Sequence, residues 1–120
     1  MISHKLLGTR EWFLIHHADC GMELFTDQIM GDLLADSLAT AAYGPKGWRN
    51  KEKAGGSPEG RYLSWLTIRD QAQSITDDVR RIRLHPLAPK DVPIYGYLYD
   101  VRTGRLAEIA SASKAGRGLA

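Results

Sequence analysis

The first apolar positions of the chain form two different patterns, one with helical spacing and one continuous run. Ile2, Leu6 and Leu7 recur at helical spacing, and Gly8 stands where a left-handed residue would end the helix. Residues 12–15 (WFLI) are continuously apolar instead of alternating. Such a run is typical of a parallel strand that is covered on both faces. The pattern predicts a helix over residues 1–7 and a buried strand starting at residue 12.

Two further stretches show helical periodicity. Phe25, Ile29, Leu33 and Leu38 recur at near-helical spacing, which predicts an amphipathic helix over residues 26–39. A second helix is indicated from a capping-box-like start at Ser74 to the stop at His85-Pro86. Its arginines at 80, 81 and 83 are interpreted as a solvated face.

The remaining segments are rich in turn residues or β-prone. Residues 43–60 contain repeated glycines and prolines among basic side chains, and they are interpreted as a long, mobile surface loop. Residues 93–101 and 105–109, with a turn between them, predict an antiparallel hairpin. Residues 110–120 are small and polar without periodicity, which predicts a flexible tail after one domain over residues 1–109.

Composition and charge narrow the class of protein. The 120 residues are 43% hydrophobic and 25% charged, in the range of one globular domain. The formal charge of +2 is spread over interleaved acids and bases, so neither nucleic acid nor an anionic membrane is expected as a partner. With no signal-peptide pattern and no apolar stretch of spanning length, a cytoplasmic protein is expected.

Reactive side chains cluster directly after the predicted buried strand. His17 and Cys20 form a His-x-x-Cys pair, and imidazole nitrogen and thiolate sulfur are ligands that zinc prefers. Gly21 would let the backbone turn there without a Cβ clash. Zinc sites need three or four ligands, however, so this pattern alone is more often structural. A thiol redox role for Cys20 is weaker, because the chain has no second cysteine.

The two polar neighbours of this pair have simpler interpretations. Side chains alternate along a strand, so His16 should face away from the side that His17 faces, with a proton-shuttle role as the alternative. Asp19 is interpreted as a cap of the following helix or as an acceptor for nearby backbone amides.

The sequence resembles the beta-class carbonic anhydrases, most closely their small, prokaryotic-type branch. The resemblance is carried by these blocks, in this order: residues 6–11 (LLGTRE), 16–22 (HHADCGM), 68–70 (IRD), 77–83 (DDVRRIR), 85–87 (HPL), 94–97 (IYGY) and 100–106 (DVRTGRL). It implies an α/β fold with a mostly parallel sheet flanked by helices and a C-terminal antiparallel hairpin.

The resemblance also implies roles for individual residues. It makes His17 and Cys20 two of three protein ligands of a catalytic zinc, puts Gly21 in the loop that lines the substrate pocket, and makes His16 no ligand. The implied reaction is zinc-dependent, reversible hydration of carbon dioxide to bicarbonate. The implied assembly is a homo-oligomer, a dimer or larger.

One part of the family's pattern does not occur in these residues. The family's Cys-x-Asp-x-Arg segment supplies the first zinc ligand and an Asp/Arg dyad, and no such motif is found here. The chain is therefore expected to correspond to the C-terminal portion of the family and to be weak or inactive by itself. Met1 is then either internal to a longer protein or the start of a shortened paralogue, whose alternative function is that of a non-catalytic interaction module.

Overall fold

The computed structural model describes residues 1–118, which form two compact units. The first unit comprises Met1–Asp19 and the described part of Arg69–Ala120, and the second comprises Cys20–Ile68. In chain order the elements are α1 (Ile2–Leu7), β1 (Trp12–His17), a 3-10 turn (Gly21–Glu23), α2 (Asp27–Asp36), β2 (Ala41–Gly44), β3 (Gly47–Asn50), a second 3-10 turn (Pro58–Tyr62), α3 (Gln71–Leu84), β4 (Ile94–Tyr99), β5 (Leu106–Glu108) and α4 (Ala110–Ala115). The prediction of one domain over residues 1–109 stays a prediction.

The sheet of the first unit has the order β1-β4-β5. Strand β1 pairs with β4 in parallel, from Trp12 opposite Ile94 to His17 opposite Tyr99. Strand β4 pairs with β5 antiparallel, with Tyr97 opposite Glu108. The α/β class and the C-terminal hairpin are therefore confirmed, and the sheet is mixed, with one parallel and one antiparallel pairing.

The core of the first unit lies between this sheet and two helices. Ile75 and Val79 of α3, Ile94 of β4 and Ala112 of α4 are fully buried and pack together. Gly96 allows this close packing, because a Cβ atom there would lie 2.4 Å from Cβ of Ala112. A larger residue at this position would push α4 away from the sheet.

The two faces of β1 differ, and this corrects the prediction of a strand covered on both sides. Trp12 and Leu14 pack against the core. Phe13 and Ile15, on the other face, are 57% and 51% exposed. The apolar run therefore has an uncovered face among the described residues, and the strand extends to His17.

The helices of this unit end where turn chemistry predicts. Gly8 follows α1 with φ +70°, the predicted left-handed cap. Helix α3 ends at Leu84, before His85-Pro86, as predicted. Its start was placed wrongly, because Asp70 is the N-cap and its side chain accepts from the amide of Gln73. The helix therefore begins one turn before Ser74.

Arg83 is buried, which corrects the prediction of a fully solvated arginine face. Its side chain donates to the carbonyl oxygens of Pro89, Lys90, Val92 and Gly116. The other two arginines of that helix remain exposed and form ion pairs with aspartates three positions earlier. A guanidinium has five N–H donors, so one side chain can join the end of α3 to two other segments.

The segment predicted to be a flexible tail forms helix α4. Ala112 is fully buried in the core, and the amide of Ile94 donates to the carbonyl of Gly116. The small side chains of α4 permit this close approach. Because they show no apolar periodicity, the helix could not be predicted from the hydrophobic pattern. Residues 119 and 120, the end of the predicted tail, lie outside the described residues.

The second unit contains the predicted amphipathic helix and a hairpin. Thr26 caps α2 by accepting from the amide of Ile29, and the helix ends earlier than predicted. Strands β2 and β3 pair antiparallel around the turn from Gly44 to Gly47. Gly47 has a φ of +90°, in the left-handed region that favours glycine. Residues 43–60 are therefore not one long loop, because their glycines form a hairpin turn and a 3-10 turn follows at Pro58–Tyr62.

Candidate functional site

His17 is the last residue of β1 and is exposed. Its Nδ1 lies 2.9 Å from the carbonyl oxygen of Ala18. A carbonyl oxygen only accepts, so Nδ1 carries the proton and the lone pair of the neutral ring is on Nε2. The backbone carbonyl of His17 in turn accepts from Nε2 of Gln71 at 3.0 Å. The ring is thus held in the tautomer in which Nε2 can bind a metal ion.

His16 faces the opposite side of the strand, as side-chain alternation predicts. Its Nδ1 lies 3.0 Å from Oε1 of Gln71, and its Nε2 lies 3.0 Å from a carboxylate oxygen of Asp78. Both partners are acceptors, so both ring nitrogens donate when these bonds form. Gln71 bonds to both His16 and His17. The sequence analysis does not include it in the site, because the predicted helix begins at Ser74 and leaves Gln71 outside.

Asp19 does not cap a helix, which corrects its predicted role. Its carboxylate accepts from Nε of Arg102 at 3.1 Å, and its backbone φ is +53°. Aspartate is one of the residue types that tolerate this left-handed conformation. The turn after β1 is therefore formed by Asp19 and joined to the β4–β5 turn.

Cys20 begins the second unit with a half-buried free thiol. It is the N-cap of the 3-10 turn Gly21–Glu23 and has extended backbone angles. Gly21 does not have the conformation that only glycine favours, and a Cβ there would meet nothing within 4 Å. The predicted steric need for a glycine is therefore not found. Its predicted place in a pocket-lining loop stays a prediction.

The two predicted zinc ligands belong to different compact units, with the boundary between Asp19 and Cys20. Among residues 1–118, no group of three or more histidine, cysteine, aspartate or glutamate side chains is placed to hold a metal ion. A catalytic zinc site needs three protein ligands. The described residues therefore do not provide a complete zinc site.

The fold and this arrangement define a mixed α/β protein with a histidine at the end of a parallel strand and a cysteine in the turn that follows it. No family model matches the sequence. Beta-carbonic anhydrase 1 of Mycobacterium tuberculosis is 35% identical over 108 residues, which cover 90% of this chain and 55% of that protein. A carbon disulfide hydrolase of an Acidianus species is 30% identical over 114 residues, covering 88% of this chain and 54% of that protein.

The solved structures agree with the sequence relatives. The crystal structure of a carbonic anhydrase from Streptococcus mutans matches with a TM-score of 0.65 and 31% identity, over 90% of this chain and 54% of that one. The chain is homologous to the beta-class carbonic anhydrases, as the sequence motifs indicated. It spans about half the length of the curated relatives it matches.

None of the helices between residues 1 and 118 combines the length and the apolar character that a membrane crossing needs.

Proposed function

We propose that this chain contributes His17 and Cys20 to a zinc site for the reversible hydration of carbon dioxide, a lyase reaction, and that the 120 residues by themselves are weak or inactive. The supporting observation is the bond from Nδ1 of His17 to the carbonyl of Ala18, which leaves Nε2 as the metal-binding atom. Homology to the beta-carbonic anhydrases supports zinc as the metal.

The expected weakness follows from ligand number. The bound zinc would supply the charge that acidifies a water molecule, but two protein ligands fix it poorly. What the chain itself supplies is the ring tautomer of His17, the thiol of Cys20 and the bond from Gln71 that holds the end of β1. The cytoplasmic location and the homo-oligomeric state predicted above are part of this proposal.

The test is metal binding by the purified 120-residue chain. Cobalt(II) titration should give a sulfur-to-metal charge-transfer band that is lost in Cys20→Ser and strongly weakened in His17→Gln. His85→Gln is the matched control, because His85 is an exposed histidine outside the site. A band unchanged in Cys20→Ser and His17→Gln would contradict the assignment of the ligands.

Activity is measured separately, by stopped-flow hydration of carbon dioxide with zinc added. We expect a rate close to that of the buffer alone. A clear zinc-dependent rate, lost in His17→Gln, would overturn the predicted weakness and show that an assembly completes the site. The same assay is repeated with carbon disulfide, because one relative is named as a hydrolase of that compound.

The second candidate function is a non-catalytic interaction module. The observation that favours it is the uncovered face of β1, where Phe13 and Ile15 are more than half exposed. Absence of both cobalt binding and hydration, in a chain that still associates with another protein, would favour this candidate over the first.

A further inference from the structure

Two adjacent histidines end strand β1, and their side chains point to opposite faces of it. His17 is exposed, whereas the side chain of His16 lies on the face of Trp12 and Leu14 and is 18% exposed. Gln71, the first residue of α3, forms hydrogen bonds with both histidines. A histidine with no proposed metal-binding role is therefore connected through one amide to a proposed metal ligand.

The orientation of the Gln71 amide follows from its two partners. Nε2 donates to the carbonyl oxygen of His17 at 3.0 Å, and a carbonyl oxygen can only accept. The other end, Oε1, then faces Nδ1 of His16 at 3.0 Å and accepts from it. If His16 presented a lone pair instead, the amide would turn over and bring Oε1 against the carbonyl of His17, where two acceptors repel each other. The donor on His16 therefore determines whether His17 receives its bond.

His16 is held from its other side by Asp78, which lies about two turns after Gln71 in α3. Nε2 of His16 is 3.0 Å from Oδ2 of Asp78, and Oδ1 of the same carboxylate accepts from Arg81 at 3.0 Å. The Asp78 side chain is 32% exposed, so these bonds are partly shielded from water and gain strength. The ring of His16 is thus fixed between two acceptors.

The peptide unit after His17 is bonded at both of its polar atoms. Its C=O accepts from Gln71, and its N–H, the amide of Ala18, donates to the carbonyl of Tyr99 at 2.8 Å. The C=O and N–H of a planar trans peptide unit point in opposite directions, so these two bonds together oppose its rotation. The next carbonyl, that of Ala18, accepts from Nδ1 of His17. The bond from Gln71 thus helps to fix the acceptor that holds the ring of His17.

Given the zinc site proposed above, we propose that His16 is a positioning residue for the metal-binding Nε2 of His17 and acts through the amide of Gln71. Side chains that bond to a metal ligand, and not to the metal, typically change metal affinity about 10- to 100-fold. Both ring nitrogens of His16 are occupied, by Gln71 and Asp78, which disfavours the proton-shuttle alternative.

The first test uses the metal-free 120-residue chain, so its result does not depend on zinc. Long-range proton–nitrogen NMR spectra, at a pH where His17 is neutral, identify the ring nitrogen that carries the proton. We expect Nδ1 in the unmodified chain and a mixture of both tautomers in His16→Leu. His16→Asn should keep the Nδ1 form, because its amide nitrogen can donate where Nδ1 of the histidine does. Leucine and asparagine have similar shapes, so these two variants separate the hydrogen bond from the side-chain volume.

Gln71→Glu removes the donor to His17 and keeps an acceptor for His16. It should give the same mixture of tautomers and weaken cobalt(II) binding about 10-fold. His16→Leu should weaken binding by a similar factor, and His16→Asn by less than about 3-fold. Gln73→Glu is the matched control, because it adds the same charge in the first turn of α3 and Gln73 bonds to Asp77 instead of a histidine. It should leave the affinity and the tautomer unchanged.

Cobalt binding and the ring tautomer separate the zinc site from the role of His16. If the unmodified chain binds no cobalt, the zinc site is wrong, and the tautomers of the metal-free chain still decide that role. Cobalt binding with no change of tautomer or affinity in His16→Leu and Gln71→Glu would overturn the positioning role and leave the zinc site standing. Equal losses in His16→Leu and His16→Asn would assign the effect to packing and would overturn it too. If His16→Leu is unfolded by circular dichroism, Gln71→Glu against Gln73→Glu decides.

Discussion

The two compact units differ in what holds them together. All six buried apolar side chains found within residues 1–118 belong to the first unit, where Ile75 and Val79 are the centre of the core. Within Cys20–Ile68, which the structure describes completely, the buried residues are Gly31, Ser37 and Gly60. His17 is therefore presented by a packed unit and Cys20 by a unit without an apolar core.

Side-chain hydrogen bonds help to hold the second unit together, where no buried apolar core does so. The hydroxyl of Ser37 accepts from the amides of Ala39 and Ala54, and Nδ2 of Asn50 donates to the carbonyl of Leu33. Such a bond contributes only about 1 kcal/mol net, because the unfolded chain bonds to water instead. The unit that carries Cys20 should thus open more easily than the unit that carries His17.

The largest expected effect comes from removing core volume in the first unit. Ile75→Ala should lower the free energy of unfolding by about 3 kcal/mol, because Ile75 is fully buried between α3, α4 and the sheet. Leu34→Ala is the matched change in the second unit and should cost about 1 kcal/mol, because Leu34 is only half-buried. Urea unfolding followed by circular dichroism measures both.

Equal costs for these two substitutions would contradict the comparison, since they would imply a hidden apolar core in the second unit. Hydrogen exchange provides the independent check. Amides of α3 should exchange more slowly than those of α2 in the unmodified chain.

The elements predicted correctly are those whose signal is local. Apolar periodicity gave α2, the continuous apolar run gave β1, and turn residues gave the end of α3 and the β4–β5 hairpin. The apolar run, which ends at Ile15, located the end of β1 to within two residues, but the strand itself continues through His17. Alternation along that strand correctly put His16 on the opposite face.

The elements that were missed depend on contacts outside the element itself. Arg83 is buried because backbone carbonyls of residues 89–92 and of Gly116 surround it, and backbone acceptors leave no signal in the pattern of side chains. Helix α4 forms because Ala112 fits beside Gly96 on β4. Gln71 was missed as part of the candidate site because its bonding partners, His17 and His16, lie 54 and 55 positions away in the sequence.

An intermediate effect is expected from a buried hydroxyl of the second unit. Ser37→Ala removes the acceptor for two backbone amides, those of Ala39 and Ala54, and should cost about 1–2 kcal/mol. Ser64→Ala is the matched control, because Ser64 is exposed in the same unit, and its cost should be near zero. Faster exchange of the Ala39 and Ala54 amides in Ser37→Ala alone would confirm that this bond, not lost volume, is responsible.

The smallest expected effect concerns the pKa values of two aspartates, one in each unit. The pKa of Asp36 is lowered first by a hydrogen bond from Asn50 and then by Lys53, whose ammonium is 3.3 Å away. The pKa of Asp100 is lowered first by the backbone amide of Arg102, which donates to it at 2.9 Å. Because the folded-state pKa is depressed, each carboxylate stabilises the fold above its unfolded pKa of about 3.9. That contribution is lost as pH falls through the folded-state pKa.

Added salt should affect the pKa values of Asp36 and Asp100 differently. The Lys53 charge is screened at about 1 M salt, whereas a backbone hydrogen bond is screened little. We expect the pKa of Asp36 to rise toward its ordinary value in salt and that of Asp100 to move less, as measured by NMR titration of the two carboxylates. Lys53→Met should reproduce the rise for Asp36 at low salt and leave Asp100 unchanged. Equal salt shifts for both would mean that Lys53 does not contribute, leaving Asn50 as the only group that lowers the pKa of Asp36.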